Sequence, residues 1–147
     1  EDTRFLHCNI KTLNLLVNVM AAEKAESMGC GECVFHRGDV VTECAHSNVS
    51  IIKDGIFKTH PTDHYILPGI TRMHIIQICK DNGIPVDETP FTMAELMDAD
   101  EIIVSSSTKF CSPACEMNGT PIGGKAPELV KLIQEKYMEK FENETAN

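Results

Sequence analysis

Lys11 is the residue of this 147-residue chain whose surroundings most favour covalent chemistry. It follows residues 4–10, which we expect to form a short strand with Phe5, Cys8 and Ile10 as its apolar members, and it precedes a predicted amphipathic helix. No charged residue lies within three positions of Lys11. Partial desolvation favours the neutral amine and makes it a better nucleophile. A lysine that simply reaches solvent at a helix start is the more common case, so the rest of the chain must decide between the two interpretations.

Two further segments could bind an anion. Residues 69–71, Gly-Ile-Thr, begin a predicted helix after a Leu-Pro-Gly turn. The backbone N–H groups of a helix start, the helix dipole and the Thr71 hydroxyl could together hold a phosphate group. Residues 105–108, Ser-Ser-Ser-Thr, leave a predicted strand and could supply the other side of the same phosphate seat. Either pattern alone is common in proteins, so neither identifies a ligand.

Glu43 ends a predicted strand and enters a loop of small residues, 44–48. A carboxylate there could accept a hydrogen bond from a protonated ring nitrogen, although a glutamate at a strand end more often faces water. A lysine for a Schiff base, donors for a phosphate and an acidic partner for a pyridine nitrogen are the groups that pyridoxal 5′-phosphate requires. Lys11, Glu43 and the two anion-binding segments together predict a site for this cofactor.

The composition argues against several other functions. The formal net charge is −9 and the sequence pI is near 5.0, whereas binding to nucleic acid needs a basic face. No apolar run is long enough to span a bilayer, and we expect no signal peptide. The expected partners therefore include neither nucleic acid nor a membrane.

Seven cysteines are scattered along the chain, most of them in apolar stretches, as buried free thiols are. We expect them to be reduced in a cytoplasmic protein. Cys30 and Cys33 form a CxxC pair, and Cys111 and Cys115 nearly repeat it. A small zinc- or thiol-bearing interaction domain is therefore an alternative function. The second spacing differs from that of a zinc site, and both pairs border predicted strands, so buried thiols are the favoured interpretation.

The periodicity of apolar residues predicts an α+β fold, with a largely antiparallel, barrel-like sheet and flanking helices. The first predicted helix begins after residue 12 or 14 and ends near residue 28. The other three predicted helices span 70–82, 93–98 and 127–141. The predicted strands after the first are 32–36, 40–43, 48–53, 56–59, 84–88 and 101–104, with hairpin turns at 37–39, 54–55 and 118–119.

Local signals set the ends of the helices. Gly29 and Gly83 are expected to follow the first two helices as caps, and Thr92 with Glu95 forms a capping-box pattern. The polar tail 142–147 is expected to fray. The first helix is expected to bury one face, composed of Leu15, Leu16, Val19, Met20 and residues 22–25.

Several segments, in their order and spacing, carry a resemblance to a known family: residues 8–16 (CNIKTLNLL), 41–43 (VTE), 47–49 (SNV), 66–72 (ILPGITR) and 90–92 (PFT). Nearly the whole chain resembles the fold-type IV pyridoxal phosphate enzymes, the class IV aminotransferases, and most closely the bacterial D-amino acid aminotransferases. The resemblance implies pyridoxal 5′-phosphate as cofactor and transamination between a D-amino acid and a 2-oxo acid. Branched-chain aminotransferases and aminodeoxychorismate lyases share these segments and are alternatives within the family.

The resemblance also implies a role for each matching residue. Lys11 is expected to be the catalytic residue, which forms the Schiff base with the cofactor and moves a proton between the substrate α-carbon and the cofactor. Glu43 is expected to pair with the pyridine nitrogen. The other expected cofactor-binding residues are Ser47 and Asn48 in the loop beneath the ring, Leu67 against the ring, and Gly69, Ile70, Thr71, Ser106 and Ser107 around the phosphate.

The chain differs from the family pattern in a loop and in its length. Asn9 stands where Asp is usual, and residues 44–46, Cys-Ala-His, replace a Gly-Ser-Ser type run, so that His46 could alter the pH response of the pocket. Family members carry a smaller domain before this one, which contributes to phosphate binding, to substrate binding and to the dimer. We therefore expect residues 1–147 to be the C-terminal cofactor-binding domain of a homodimeric enzyme, and a poor transaminase alone.

Overall fold

The computed structural model describes residues 1–146. The helices are α1 (Leu16–Ser27), α2 (Ile70–Asp81), α3 (Met93–Met97) and α4 (Pro127–Thr145). The strands are β1 (Val34–Arg37), β2 (Val40–Cys44), β3 (Asn48–Lys53), β4 (Ile56–Thr59), β5 (Val86–Asp87), β6 (Glu101–Ser106), β7 (Phe110–Ala114), β8 (Glu116–Met117) and β9 (Thr120–Pro121). Helices flank antiparallel-rich sheets, which confirms the expected α+β class.

The central sheet has the strand order β5-β4-β3-β6-β7. Its pairs are antiparallel except for the short parallel pair of β4 with β5. Strand β3 lies in the middle, and its neighbouring residues Ile51 and Ile52 belong to two different apolar clusters. Because side chains alternate across a strand, both faces of the sheet are covered. The apolar residues of β6 divide in the same way, with Ile103 in one cluster and Ile102 and Val104 in the other.

The two faces of the sheet are covered by different elements. On one face, Ile75 and Cys79 of α2 and Ile133 of α4 pack in the same cluster as Ile52. On the other face, Val41 of β2 and Leu96 of α3 pack in the cluster that contains Ile51. The ribbon of β1 and β2 is a separate two-stranded sheet beside the central one. Strand β2 therefore ends next to the start of β3, where the loop of residues 45–47 joins them.

Most of the local signals act as expected. Asp54 and Gly55 have φ of 50° and 76°, as a tight hairpin between β3 and β4 requires. Thr92 and Glu95 form a reciprocal capping box at the start of α3. Gly29 and Gly83 follow the ends of α1 and α2 with φ of 76° and 72°.

The first expected strand is wrong. Residues 4–10 form turns and irregular backbone, in which Ile10 N–H donates to the His7 carbonyl at 3.0 Å. Cys8 is buried as expected, whereas Phe5 and Ile10 are 47% and 55% exposed. Within this segment the Arg4 side chain turns inward to buried carboxylates.

The expected buried face of α1 is also wrong. Leu16, Val19 and Met20 are 68%, 53% and 61% exposed, and the buried residues of α1 are Asn18 and Ala25. The apolar side chains of α1 lie mainly in its first half and are not confined to one face, and no element of residues 1–146 covers most of them. Asn18 is buried because its amide donates to the Ala45 carbonyl at 2.8 Å, at the loop between β2 and β3.

Other boundaries differ in smaller ways. The expected strand 84–88 is reduced to β5, and β7 was not expected at all. Strand β6 continues through Ser106, because β7 pairs with it as far as Ser106 opposite Phe110. The last helix extends to Thr145, so residues 142–145 are not frayed; Asn147 of the expected tail lies outside the described residues. Within residues 1–146, no helix is both long enough and apolar enough to cross a membrane.

Candidate active site

Glu43, at the end of β2, is the centre of a buried polar group. The residue is 6% exposed. Its Oε1 accepts a hydrogen bond from Arg4 Nη1 at 2.5 Å. Its Oε2 accepts from Asn48 Nδ2 at 3.1 Å and from the Leu67 backbone N–H at 3.0 Å. Glu43 is therefore a buried carboxylate that accepts three hydrogen bonds, and it is not a solvated side chain at a strand end.

Arg4 and Asp2 belong to this group, although neither was expected from the sequence. Arg4 donates from Nε and Nη2 to the two oxygens of Asp2, at 2.9 and 2.8 Å, while Nη1 reaches Glu43. The side chain of Arg4 is 5% exposed and that of Asp2 is fully buried. The only sign in the sequence is an acidic and a basic residue two positions apart. Such residues are usually solvated, so the pattern does not by itself predict a buried ion pair.

The ionisation of the group follows from burial and pairing. Burial raises the pKa of Glu43, and the hydrogen bond and charge of Arg4 act against this rise. Burial by itself would also raise the pKa of Asp2, but hydrogen bonds from Arg4 outweigh it and lower that pKa to about 2. Arg4 therefore stays charged, and it holds two carboxylates at one guanidinium.

Asn48 joins Glu43 to the loop that precedes α2. Its amide donates to Glu43 and, at 2.9 Å, to the Leu67 carbonyl. Gly69 lies against the same amide, so that a Cβ at this position would overlap Asn48 Oδ1. Glycine is required here by close approach and not by backbone conformation, because its φ is −65°. The structure thus brings four of the expected site residues into direct contact: Glu43, Asn48, Leu67 and Gly69.

The start of α2 presents backbone donors beside this contact. Gly69 is the N-cap, no side chain caps the helix, and the first turn contains no acidic residue. The N–H groups of Ile70 and Thr71 are among the first-turn donors that lack a partner within a helix. The Thr71 hydroxyl lies 3.4 Å from the Tyr137 hydroxyl, so it already has a polar partner inside the protein. An anion at this place would be bound mainly by the backbone N–H groups and the helix dipole.

Arg72 fixes the position of the helix start. It is 2% exposed, and it donates to Thr59 Oγ1 at 3.1 Å and to the His60 carbonyl at 2.8 Å. Its guanidinium also pairs with Glu88 at 3.0 Å. The first turn of α2 is therefore attached to the end of β4.

The serine run differs from the expected loop. Ser105 lies within β6 opposite Asn48 of β3, so the register places this end of β6 beside the candidate site. Ser106 Oγ accepts from the Lys109 backbone N–H at 3.1 Å, and Ser107 is exposed in the turn that follows. Ser106 and Ser107 therefore lie one strand away from Asn48, without direct contact to Glu43.

Ser47 connects the loop before β3 with that turn. Its hydroxyl donates to Glu32 Oε2 at 2.9 Å, and the same oxygen pairs with Lys109 Nζ at 3.0 Å. Burial by itself would raise the pKa of Glu32, but the hydrogen bonds from Cys33, Lys109 and Ser47 lower it. Ser47 is thus a structural link between the two sides of the site.

Lys11 is the expected catalytic residue, and its side chain is exposed in the structure. It is exposed, five positions before α1, so the expected desolvation of its amine does not occur among residues 1–146. The backbone N–H of Cys8 donates to the His64 carbonyl at 2.9 Å. This anchor is three residues from Lys11 and three from Leu67, and three residues span at most about 11 Å. The chain therefore ties Lys11 to the segment before Leu67, but Lys11 makes no hydrogen bond to Glu43 within the described residues.

The donor set fits pyridoxal 5′-phosphate. A buried carboxylate suits a protonated ring nitrogen, an uncapped helix start suits a phosphate, and a nearby amine suits an aldehyde. Gly69 lets the Asn48 amide pack directly against the start of this helix, where a Cβ would overlap Asn48 Oδ1.

Comparison with known proteins identifies the class. Residues 1–117 match the model of the amino-transferase class IV family, and the chain belongs to that family, whose members depend on pyridoxal 5′-phosphate. It is 48% identical over 136 residues to a D-alanine aminotransferase of Listeria monocytogenes, covering 91% of this chain and 47% of the relative. It is 48% identical over 143 residues to a D-alanine aminotransferase of Staphylococcus haemolyticus, covering 95% and 51%. The chain thus spans about half the length of the curated relatives it matches.

Solved structures of the same family share the fold. The branched-chain amino acid aminotransferase of Escherichia coli superposes with a TM-score of 0.80 at 29% identity, over 85% of this chain and 43% of its own. A Legionella pneumophila protein provisionally assigned as a 4-amino-4-deoxychorismate lyase superposes with a TM-score of 0.81 at 26% identity, over 89% and 49%.

The cysteines do not assemble into a metal site. Cys30 and Cys115 are exposed, whereas Cys111 is buried, and burial raises its pKa to about 12. Among residues 1–146, no group of three or more His, Cys, Asp or Glu side chains could hold a metal ion.

Proposed function

We propose that this chain is the cofactor-binding domain of an aminotransferase that exchanges an amino group between a D-amino acid and a 2-oxo acid. The observation that carries the proposal is the buried contact of Glu43 with Asn48 and Leu67, next to the uncapped start of α2. When bound, pyridoxal 5′-phosphate supplies an aldehyde that accepts amino groups and a ring that takes up electrons from the substrate α-carbon.

Each expected site residue has a role in the proposed reaction. Glu43 accepts a hydrogen bond from the ring nitrogen, and Asn48 holds the Glu43 carboxylate and the Leu67 carbonyl in place. The N–H groups of Ile70 and Thr71 bind the phosphate. Lys11 Nζ holds the cofactor aldehyde and then moves a proton at the substrate α-carbon, as a general base and acid.

Ser106 and Ser107 complete the phosphate seat in this proposal from the adjacent strand end, and Ser47 supports the loop beneath the ring. Leu67 packs against the ring itself. Lys11 must then swing from its exposed position toward Glu43, which the anchor of Cys8 at His64 keeps within reach.

The choice of substrate rests on the relatives. Those at 48% identity are D-alanine aminotransferases, whereas the branched-chain aminotransferase and the lyase match at 26–29%. A D-amino acid such as D-alanine is therefore the proposed donor. Branched-chain amino acids or aminodeoxychorismate are the alternative substrates for the same fold.

The proposed partners are an amino acid, a 2-oxo acid and, in the full-length enzyme, a second copy. The exposed apolar side chains of Leu13, Leu16 and Met20 support an assembly larger than this chain, since they are 99%, 68% and 61% exposed. A cytoplasmic location is supported by the seven cysteines, all of them free thiols.

A single-turnover experiment tests the proposed reaction. The protein is loaded with pyridoxal 5′-phosphate and mixed in equal amount with D-alanine, L-alanine or L-leucine, and the cofactor absorbance and the 2-oxo acid are followed. We expect pyruvate from D-alanine faster than any 2-oxo acid from the other two. Faster conversion of L-leucine would instead assign the branched-chain activity, and bound zinc with no conversion at all would favour the thiol-bearing interaction domain.

A further inference from the structure

One arginine connects the start of the chain with the base of the candidate site. The Arg4 guanidinium grips Asp2 with two nitrogens, at 2.9 and 2.8 Å, and it reaches Glu43 Oε1 with the third, at 2.5 Å. Its Cζ also lies 4.6 Å from the centre of the Phe35 ring. A side chain held at all three of its nitrogens and on one face has a fixed geometry, which is typical of arginine and not of lysine.

Asp2 does not fully neutralise the charge of Arg4, so Arg4 can also stabilise the negative charge of Glu43. Asp2 is shared with a second guanidinium, since Arg37 Nε lies 3.2 Å from Asp2 Oδ2. Two acidic and two basic side chains therefore form this cluster. The other groups that face it are neutral: the Thr42 hydroxyl and the Cys8 thiol, whose pKa burial raises.

The hydrogen-bond capacity of Glu43 is almost used. An ionised carboxylate offers about four lone-pair positions. Oε2 accepts from Asn48 and from Leu67, and Oε1 accepts from Arg4. The remaining acceptor position is on Oε1, the oxygen that Arg4 touches. A ring nitrogen that approaches Glu43 must therefore share this oxygen with Arg4.

We propose that Arg4 is a positioning residue that keeps Glu43 ionised, so that the proton between Glu43 and the ring nitrogen of bound pyridoxal 5′-phosphate lies on the nitrogen. This inference rests on the proposed function of the site. The pair of groups carries one proton in either arrangement. Without Arg4, the O–H bond forms at Glu43 as the N–H bond of the ring breaks, and nothing else is gained or lost.

The environment of Glu43 shows why its ionisation depends on Arg4. Burial favours the protonated carboxylic acid and raises the pKa of Glu43, while the hydrogen bond and the charge of Arg4 oppose it. Removal of the guanidinium leaves the burial unopposed except by Asn48 and Leu67. The ring nitrogen then faces a carboxylic acid, and a charge-assisted hydrogen bond is replaced by a neutral one.

The test uses cofactor labelled with ¹⁵N in the ring, bound to the full chain, and measures the ¹⁵N chemical shift by NMR between about pH 6 and pH 8. We expect a protonated, pyridinium-type shift in the unsubstituted protein and a neutral, pyridine-type shift in Arg4→Gln. Arg4→Lys restores the charge and should recover the protonated shift, at least in part. Arg37→Gln is the matched control, because Arg37 contacts Asp2 and makes no contact with Glu43, and the ring should stay protonated in this variant.

A second readout is cofactor affinity, which we expect to fall about tenfold in Arg4→Gln and much less in Arg4→Lys. Thermal unfolding of each variant checks that the fold is retained. A neutral ring in the unsubstituted protein overturns the inference even if Arg4→Gln does not fold, and so does a protonated ring in a folded Arg4→Gln. Absence of a borohydride-trapped adduct on Lys11 in the same samples would overturn the proposed function as well.

Discussion

Asn48 and Gly69 are in such close contact that the smallest possible side chain at residue 69 displaces the amide. The amide joins the Glu43 carboxylate to the Leu67 carbonyl, so its position determines the shape of the site. The contact depends on the absent Cβ of Gly69 and on the short polar side chain of Asn48. Both residues were expected at the site, but their contact with each other was not.

Gly69→Ala should therefore weaken both the fold and the site. The backbone tolerates alanine, but the new Cβ overlaps Asn48 Oδ1 and lies 3.4 Å from Asn48 Cγ. We expect a loss of about 1–3 kcal/mol in the free energy of unfolding, from the displaced amide and its hydrogen bonds, and weaker binding of pyridoxal 5′-phosphate. Urea unfolding and a spectroscopic titration measure the two effects.

Gly31→Ala is the matched control for this change. Nothing lies within 4 Å of a Cβ at Gly31, so its stability should change by no more than about 0.5 kcal/mol. Equal effects of the two substitutions would contradict the importance of the contact at Gly69.

Asp2 should make stability depend on pH in the acid range. Its pKa is lowered from 3.8 to about 2, because the hydrogen bonds from Arg4 outweigh the burial. The unfolded chain binds this proton more readily, so the stabilisation is present above pH 3.8 and is lost as the pH falls toward 2. Asp2→Asn should cost about 1–2 kcal/mol near neutral pH and almost nothing at the acid end. Urea unfolding of both proteins across this pH range gives the difference in their free energies of unfolding. A difference that does not change with pH would contradict the role of the Asp2 charge.

Elements with strong local signals were the ones that the sequence predicted best. The bounds of β3 and β4 agree with the expectation because Asp54 and Gly55 fix the hairpin between them. The capping box of α3 was likewise readable from Thr92 and Glu95. These features depend on residues close together in the chain, whose physics needs no tertiary context.

Elements that depend on distant partners were predicted poorly. The apolar residues in the first half of α1 indicated a buried face, but residue type does not state whether a partner is present, and Leu16 is 68% exposed. The expected strand at residues 4–10 is irregular backbone, and Arg4 within it contacts Glu43, 39 positions away. For the same reason the candidate site was only partly predictable: Glu43 was found by type and place, and its partners Asp2 and Arg4 were not.

Thr92→Ala should destabilise the protein through α3. The substitution removes the side-chain acceptor for the Glu95 backbone N–H, which lies 3.1 Å away, and breaks the capping box. We expect a cost of about 1 kcal/mol in the free energy of unfolding, measured by chemical denaturation. Thr92→Ser keeps the hydroxyl and should be close to the unsubstituted protein; a loss as large as that of alanine would exclude capping as the cause.

At the scale of the molecule, residues 1–146 combine a buried polar group at the candidate site with an open surface. Glu43, Asn48, Leu67 and Gly69 are in contact, and Arg72 fixes the helix start beside them. By contrast, Lys11 and the apolar side chains near it are exposed, for example Ile10 at 55% and Leu13 at 99%. A site open on the side of its proposed nucleophile should bind cofactor better than it turns over substrate, since catalysis requires exclusion of water and fixed substrate geometry.

Steady-state turnover by residues 1–147 should therefore be slow. We expect kcat/KM with D-alanine to be at least about a hundredfold below that of a full-length D-alanine aminotransferase such as the Listeria relative, which is about twice as long. Coupled detection of pyruvate under identical conditions measures both enzymes. Comparable values would contradict the proposal that this chain provides only part of the pocket.

Reductive trapping of the cofactor tests the central claim most directly. The protein is incubated with pyridoxal 5′-phosphate, reduced with borohydride and digested, and the modified lysine is identified by mass spectrometry. The account predicts a stoichiometric adduct on Lys11, its loss in Lys11→Ala and its retention in Lys24→Ala, which changes an exposed lysine on α1. An adduct found only on other lysines, with Lys11 unmodified, would contradict it.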